Sequence, residues 1–300
     1  MRFCVVLVMM ASSLAACNLV FSSKMAGDAA GNDAAAIDAR CAGPFVDSDS
    51  DGVADPCDNC QQLPNPAQLD EDLDGIGDVC DNCVGVANPE QMDGAGDADG
   101  VGEACDPYPN VPTVVVAKFF VEGGVPFAQL QPVGNWAVSS EKAAVAAFAP
   151  SFLVFDSGLD GGKDVAVEAG FANSSFVVTS EVGVFLQSDN QRHATAGLQL
   201  YRYCVTRNAM HVLYLGYQAG PGMSTALSPQ QGLLQPAQRV LGSVDQMGNI
   251  SCYVEASPTD VVKAEYAPVP AAIASERYVG VMVANLNAEV RYLVVYRPGP

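Results

Sequence analysis

Two stretches of this chain repeat one spacing of acidic residues. The first is Asp47-x-Asp49-x-Asp51-Gly52-Val53-x-Asp55-x-x-Asp58, and the second is Asp70-x-Asp72-x-Asp74-Gly75-Ile76-x-Asp78-x-x-Asp81. Carboxylates at positions 1, 3 and 5 converge on one point when the chain turns sharply behind them. Glycine at position 6 allows that turn because it adopts backbone angles that other residues avoid. Position 7 offers a backbone carbonyl, from Val53 or Ile76, and position 12 a last carboxylate, Asp58 or Asp81. Asp55 and Asp78, at position 9, add a further carboxylate each. Hard oxygen donors in this number select Ca²⁺ over zinc or iron. Chance placement in an acidic tail would not put the Asp, the Gly and the adjacent Cys in register twice.

A third copy is degraded. It keeps Asp97, Asp99, Gly100, the Val101 carbonyl and Asp106, with Glu103 in place of the fourth Asp and Ala95 in place of the first. A weaker site is expected there, with Asp93 as the nearest substitute ligand. The ligand order is that of an EF-hand loop, but the flanking helices are missing. Asp-Pro-Cys-Asp-Asn-Cys at 55–60 and Asp-Val-Cys-Asp-Asn-Cys at 78–83 flank the loops instead, with Asn65-Pro66-Ala67-Gln68 and Asn88-Pro89-Glu90-Gln91. Both motifs recur at a shift of 23 residues, the mark of an array. The segment resembles thrombospondin type 3 repeats. The resemblance implies several structural Ca²⁺ ions wrapped by the chain, little apolar core, and a disulfide ladder Cys41–Cys57, Cys60–Cys80 and Cys83–Cys105. It also implies that Asn65 and Asn88 are Ca²⁺-associated. From spacing alone, six cysteines allow 15 connectivities, and Cys-x-x-Cys is also zinc-ribbon spacing.

Disulfides there would need an oxidising compartment, and the N-terminus resembles that of an exported chain. Met1-Arg2 precedes an apolar run from Phe3 to Leu14, too short to span a bilayer, and the run ends in Leu14-Ala15-Ala16-Cys17. That ending resembles a bacterial lipobox, which implies cleavage before Cys17, acylation of Cys17, and a membrane-anchored surface location. Residues 1–16 are then signal peptide and 17–40 a tether of Ala, Gly, Asp and Asn. Residues 41–110 are the repeats, read as a rigid calcium rod, and 111–300 a separate domain. The net charge is −20, and between Arg40 and Lys118 there is no Lys, Arg or His, although 17 of the 34 acidic residues lie there. Nucleic acid and anionic surfaces are excluded as partners, because they need basic patches.

Beyond Pro112 the chain becomes runs of Val, Tyr, Phe and Leu between Gly, Asn, Asp and Pro. Expected strands cover 113–121, 151–156, 165–171, 175–187, 196–206, 210–217, 239–243, 249–256, 278–284 and 289–296. Alternation such as Leu198-Gln199-Leu200-Tyr201-Arg202-Tyr203-Cys204 marks half-buried antiparallel strands. The fold class is therefore mainly β: an irregular, Ca²⁺-wrapped, disulfide-stapled array followed by an antiparallel sandwich. The strand pattern resembles concanavalin-like or laminin G-like jelly rolls, which implies a glycan or matrix ligand. Trp136 reads as packing. With the other cysteines assigned, Cys204 and Cys252 remain, and they are expected to pair from facing positions of adjacent strands. Glu141, Glu168, Glu181, Glu255, Glu265, Glu276 and Glu289 are scattered singly, and His193 and His211 have no neighbouring nucleophile motif. The reading is a non-enzymatic, Ca²⁺-dependent adhesive lipoprotein. The alternatives are a structural envelope lipoprotein and a lectin-fold glycoside hydrolase.

Overall fold

The computed structural model describes residues 46–300, apart from 95–96, 121–122, 141, 159–163, 176, 178, 189–199, 208–211, 220–235, 246, 248, 258–259 and 267–276. Cys17, the tether, Cys41, His193 and His211 lie outside the described residues.

Among the described residues fourteen strands follow the repeats: β1 (Thr113–Phe119), β2 (Gln131–Val133), β3 (Trp136–Val138), β4 (Ala143–Ala147), β5 (Ser151–Asp156), β6 (Val165–Ser174), β7 (Glu181–Ser188), β8 (Leu200–Arg207), β9 (Val212–Ala219), β10 (Ala237–Val244), β11 (Ile250–Ser257), β12 (Asp260–Tyr266), β13 (Tyr278–Ala284) and β14 (Leu286–Pro298). One sheet runs β12-β11-β10-β6-β14-β4-β3, with β1 also on β14, and the other runs β2-β5-β13-β7-β8-β9. The described pairs are antiparallel. This is the jelly-roll sandwich expected from the sequence. Strands β2, β3, β4 and β12 were not expected.

Alternate residues fill the space between the sheets. Val165, Val167, Ala169 and Phe171 of β6 meet Val182, Val184 and Leu186 of β7 and Val279, Val281 and Val283 of β13 in one core. Each large aliphatic or aromatic side chain so buried contributes roughly 1.5–3 kcal/mol. Phe119 and Phe155 close one side edge to face, with centroids 5.1 Å apart. Trp136 is partly buried against the same core.

Cys204 and Cys252 are disulfide-bonded, with Cα atoms 5.7 Å apart and both residues buried. The strands are not neighbours, contrary to the sequence expectation: β8 belongs to one sheet and β11 to the other, so the bond staples the sandwich through its core. Packed sheets usually lie about 10 Å apart, too far for this bond. Gly242, paired with Cys252 across β10 and β11, lets them approach. A Cβ there would lie 2.7 Å from Leu186 Cδ2 and 3.1 Å from Cys204 Cβ.

The described residues of the repeats, within 46–112, are irregular apart from one 3-10 turn at Asp55–Cys57. Cys60–Cys80 and Cys83–Cys105 are bonded at Cα separations of 5.8 and 5.6 Å. Cys57 is also disulfide-bonded. The repeats do not stand off as a rod. Cys83, Val84, Val101 and Cys105 pack with Phe120, Ala166, Leu241, Tyr292, Val294 and Tyr296, on the outer face of the eight-stranded sheet. A register shift between Val290 and Tyr292 sends Tyr292, Val294 and Tyr296 outward, where a solvated face would be polar. Gly85 sits so close that a Cβ would lie 1.8 Å from Tyr292 Oη. Arg291 reaches Glu71 at 3.3 Å, and Lys118 Nζ donates to the Asp81 carbonyl at 2.8 Å.

Candidate metal centre

Each repeat folds around its own carboxylates. In the first two loops the position-1 Asp ties down two backbone N–H groups. Ser50 N–H donates to Asp47 Oδ1 at 2.7 Å and Gly52 N–H to Asp47 Oδ2 at 3.1 Å; Leu73 and Gly75 do the same to Asp70 at 2.7 and 3.0 Å. Position 5 accepts from position 7, as in Ile76 N–H to Asp74 Oδ1 at 2.8 Å. Ser50, Leu73 and Ala98 adopt positive φ, and so do Gly52, Gly75 and Gly100, near +95°. At these glycines a Cβ would meet nothing within 4 Å, so the backbone angle, not space, demands glycine.

Three triads of carboxylates result: Asp47, Asp49 and Asp51; Asp70, Asp72 and Asp74; Asp93, Asp97 and Asp99. Within each, the ligand atoms lie within 4.8 Å of one another. The third triad contains Asp93, the substitute ligand expected from the sequence. Asp93, not residue 95, holds the first position: Gly100 N–H donates to Asp93 Oδ2 at 2.8 Å, as Gly52 does to Asp47. Two extra residues between Asp93 and Asp97 account for the longer period and take this ligand out of register. Glu103 takes the part of Asp55 and Asp78. Gly94 N–H donates to Glu103 Oε1 at 3.2 Å, as Ser48 N–H does to Asp55 and Glu71 N–H to Asp78, both at 2.8 Å.

The Cys-Asp-Asn-Cys and Asn-Pro-x-Gln motifs clamp one another. Asn82 N–H donates to Gln91 Oε1 at 2.9 Å, Gln91 Nε2 to Asp81 Oδ1 at 2.7 Å, and Asn88 Nδ2 to Asn82 Oδ1 at 2.7 Å. The side-chain amide of Asn88 is thus engaged in the clamp, and its backbone N–H donates to Asp74 Oδ2 at 2.8 Å. Asn65 N–H makes the same bond to Asp51, at 2.9 Å.

The donor set fits a hard divalent cation. Asp49 Oδ2, Asp72 Oδ2 and Asp97 Oδ2, the position-3 oxygens of the three loops, are buried without a hydrogen-bond partner, as are Asp58 Oδ2 and Asp93 Oδ1. A buried carboxylate oxygen without a donor is costly, and a cation is its natural partner. Burial first, then Asp81 and Asp74, push the Asp72 carboxyl up to about 8. Burial, then Asp70 and Asp81, push Asp78 up to about 6 against a hydrogen bond from Glu71. Burial likewise raises Asp49, Asp81 and Asp106.

Under the repeats lies a polar cluster that the sequence did not reveal. Glu168 of β6 is buried. Its Oε1 accepts from Arg239 Nε at 2.7 Å and Tyr292 Oη at 2.9 Å, and its Oε2 from Tyr296 Oη at 3.1 Å. Arg239 also donates to Glu255 at 3.2 Å. Two carboxylates that look isolated in sequence therefore share one guanidinium. Glu168 is satisfied by three donors and closed off from solvent by the repeats.

Residues 45–68 and 68–91 match the thrombospondin type 3 repeat family. No curated protein matches the chain by sequence. Among solved structures, the chain is similar to the exoplasmic/lumenal domain of VIP36 in a form bound to Ca²⁺ and Man3GlcNAc (8% identity, 62% of this chain and 91% of that one, TM-score 0.45). It is also similar to peanut lectin with a 9mer peptide (11%, 61% and 97%, 0.44) and to the carbohydrate binding module CBM66 from Bacillus subtilis (11%, 54% and 92%, 0.41).

Proposed function

We propose that this chain is a Ca²⁺-dependent, non-catalytic binding protein of the cell surface, anchored through acylated Cys17 and recognising a glycan or matrix ligand through its sandwich. The observation that carries the calcium part is the set of unpartnered buried oxygens, Asp49 Oδ2, Asp72 Oδ2 and Asp97 Oδ2, at one position of three loops. Glycans are the first ligand class to test because the jelly-roll resemblance implies them. The non-catalytic reading is supported by the state of Glu168 and Glu255. A glycosidase needs two carboxylates facing one bond in an open cleft, whereas these two are neutralised by Arg239 beneath the repeats. Anchoring and export rest on Leu14-Ala15-Ala16-Cys17 and on the number of cysteines.

The full chain on an array of glycans and matrix proteins, with Ca²⁺ and with chelator, tests the reading. Binding that disappears with chelator is expected. Equal signals in both conditions would sink Ca²⁺ dependence, and no binding to any ligand would favour a structural envelope protein. Intact mass of the mature protein should show an acylated Cys17, and Cys17→Ser should leave the membrane fraction.

A further inference from the structure

In the first loop Asp51 Oδ2 accepts the Asn65 N–H, and in the second Asp74 Oδ2 accepts the Asn88 N–H. Each donor lies fourteen residues on, in the following Asn-Pro-x-Gln motif. No such motif follows the third loop. Fourteen residues beyond Asp99 stands Thr113, the first residue of β1, and its N–H donates to Asp99 Oδ2. The position-12 carboxylates show the same substitution. Gln68 Nε2 donates to Asp58 Oδ1 at 2.9 Å and Gln91 Nε2 to Asp81 Oδ1 at 2.7 Å, while Thr113 Oγ1 donates to Asp106 Oδ1 at 2.7 Å. Thr113 alone does for the third loop what an Asn and a Gln do for the other two. It is buried and pairs with Pro298 in the β1–β14 ladder.

We infer that Thr113 is a positioning residue for the third metal loop, and that through it Ca²⁺ in that loop is coupled to the pairing of β1 with β14. This rests on the calcium reading above. Two charge-assisted hydrogen bonds from one strand residue fix Asp99 and Asp106 in place before the ion arrives, which favours binding. The coupling works in reverse too. Without the ion, Asp97, Asp99 and Asp106 repel one another, and any displacement of the last two draws on Thr113 and the first rungs of the ladder, Thr113 with Pro298 and Val114 with Arg297. The junction at residues 107–112, between the repeats and β1, is then a joint that Ca²⁺ stiffens.

Two measurements on the full chain test this. In calorimetry, Thr113→Val, which keeps the β-branched shape and the N–H, should weaken one Ca²⁺ site about tenfold, the scale of a lost hydrogen bond to a charged group, and leave the others unchanged. Thr113→Ser should restore it. In hydrogen exchange on the wild type, which needs no variant, removing Ca²⁺ should speed exchange at 114–119 and 293–297 more than in β7 and β13. An isotherm for Thr113→Val identical to wild type, or β1 protection indifferent to Ca²⁺, would overturn the inference alone. Absence of any Ca²⁺ uptake by the wild type would overturn the calcium reading with it.

Discussion

The repeats and the sandwich solve the same problem with opposite chemistry. In the sandwich the side chains that converge are chiefly Val, Leu, Ile and Phe, held together by water exclusion and stapled by one disulfide. In the repeats the side chains that converge are carboxylates. Left alone they repel, and disulfides plus hydrogen bonds from backbone N–H groups only hold them ready. Where the repeats do bury apolar groups, as with Val84 and Val101, the partner surface belongs to the sandwich. One region is stable by its composition; on the calcium reading proposed above, the other is conditional on an ion and on its neighbour.

The largest expected effect follows from that contrast. Chelating Ca²⁺ should unfold residues 46–112 locally while the β5, β7 and β13 core keeps its protection, because metal binding is the folding energy of such an array. Hydrogen exchange read segment by segment checks it. Repeat amides equally protected in chelator would show that disulfides and docking suffice without the ion.

The inter-sheet disulfide should be next in size. It closes a loop with a sequence separation of 48 residues, worth about 4 kcal/mol in the chain-entropy model. Replacing both Cys204 and Cys252 by Ala should lower sandwich stability in urea by about that amount, and equally with Ca²⁺ or chelator. A loss of Ca²⁺ binding in this variant would show that the two regions are less separate than their chemistry.

Legibility in the sequence followed the range over which each feature is built. The loops were readable because every ligand lies within twelve residues, so spacing alone brings Asp70, Asp72 and Asp74 together. The third loop was legible only in part: two inserted residues move Asp93 out of register, so spacing marks it as the nearest substitute for Ala95, and the hydrogen bond from Gly100 N–H places it. Strands β5 and β13 lie where alternation and β-branched residues placed them. Ala143–Ala147 was missed because alanine carries no strand signal; its place comes from pairing with β14. Whether Cys204 and Cys252 share a sheet, and whether Glu168 meets Arg239, are decided by strand order, which no local pattern encodes.

Two glycines separate the regions more finely. Gly75 has φ +96° and open space around its missing Cβ, so Gly75→Ala should cost about 1–2 kcal/mol of backbone strain, felt as weaker Ca²⁺ binding. Gly242 is the reverse. A Cβ there meets Leu186, Val184 and Cys204, so Gly242→Ala should cost about 1–3 kcal/mol by overpacking, felt as a lower urea midpoint with Ca²⁺ affinity unchanged. If both variants moved the same observable, the contact between the two regions would outweigh the difference in their chemistry.

The last effect is one of sign. In the ion-free repeats burial and neighbouring carboxylates raise Asp72 to about 8 and Asp78 to about 6. A carboxyl whose folded value lies above its unfolded one favours the fold at low pH, and that contribution is lost as pH rises through the folded value. The ion-free repeats should therefore lose stability from about pH 4, where the unfolded carboxyls ionise, up to about pH 8, and Ca²⁺ bound in that range would displace the retained protons. Binding at pH 6.5 should release protons, and affinity should rise by up to about tenfold per pH unit for each proton displaced, levelling near 8. In the sandwich the sign is opposite. A hydrogen bond from Arg277 holds Asp156 below its usual range, so its contribution is present at neutral pH and lost as pH falls through the lowered value. Calorimetry in two buffers of different ionisation enthalpy measures the protons directly. Ca²⁺ binding with no proton release at pH 6.5 would mean that Asp72 and Asp78 are already charged, and that disulfides and backbone donors, not protons, keep the empty loops together.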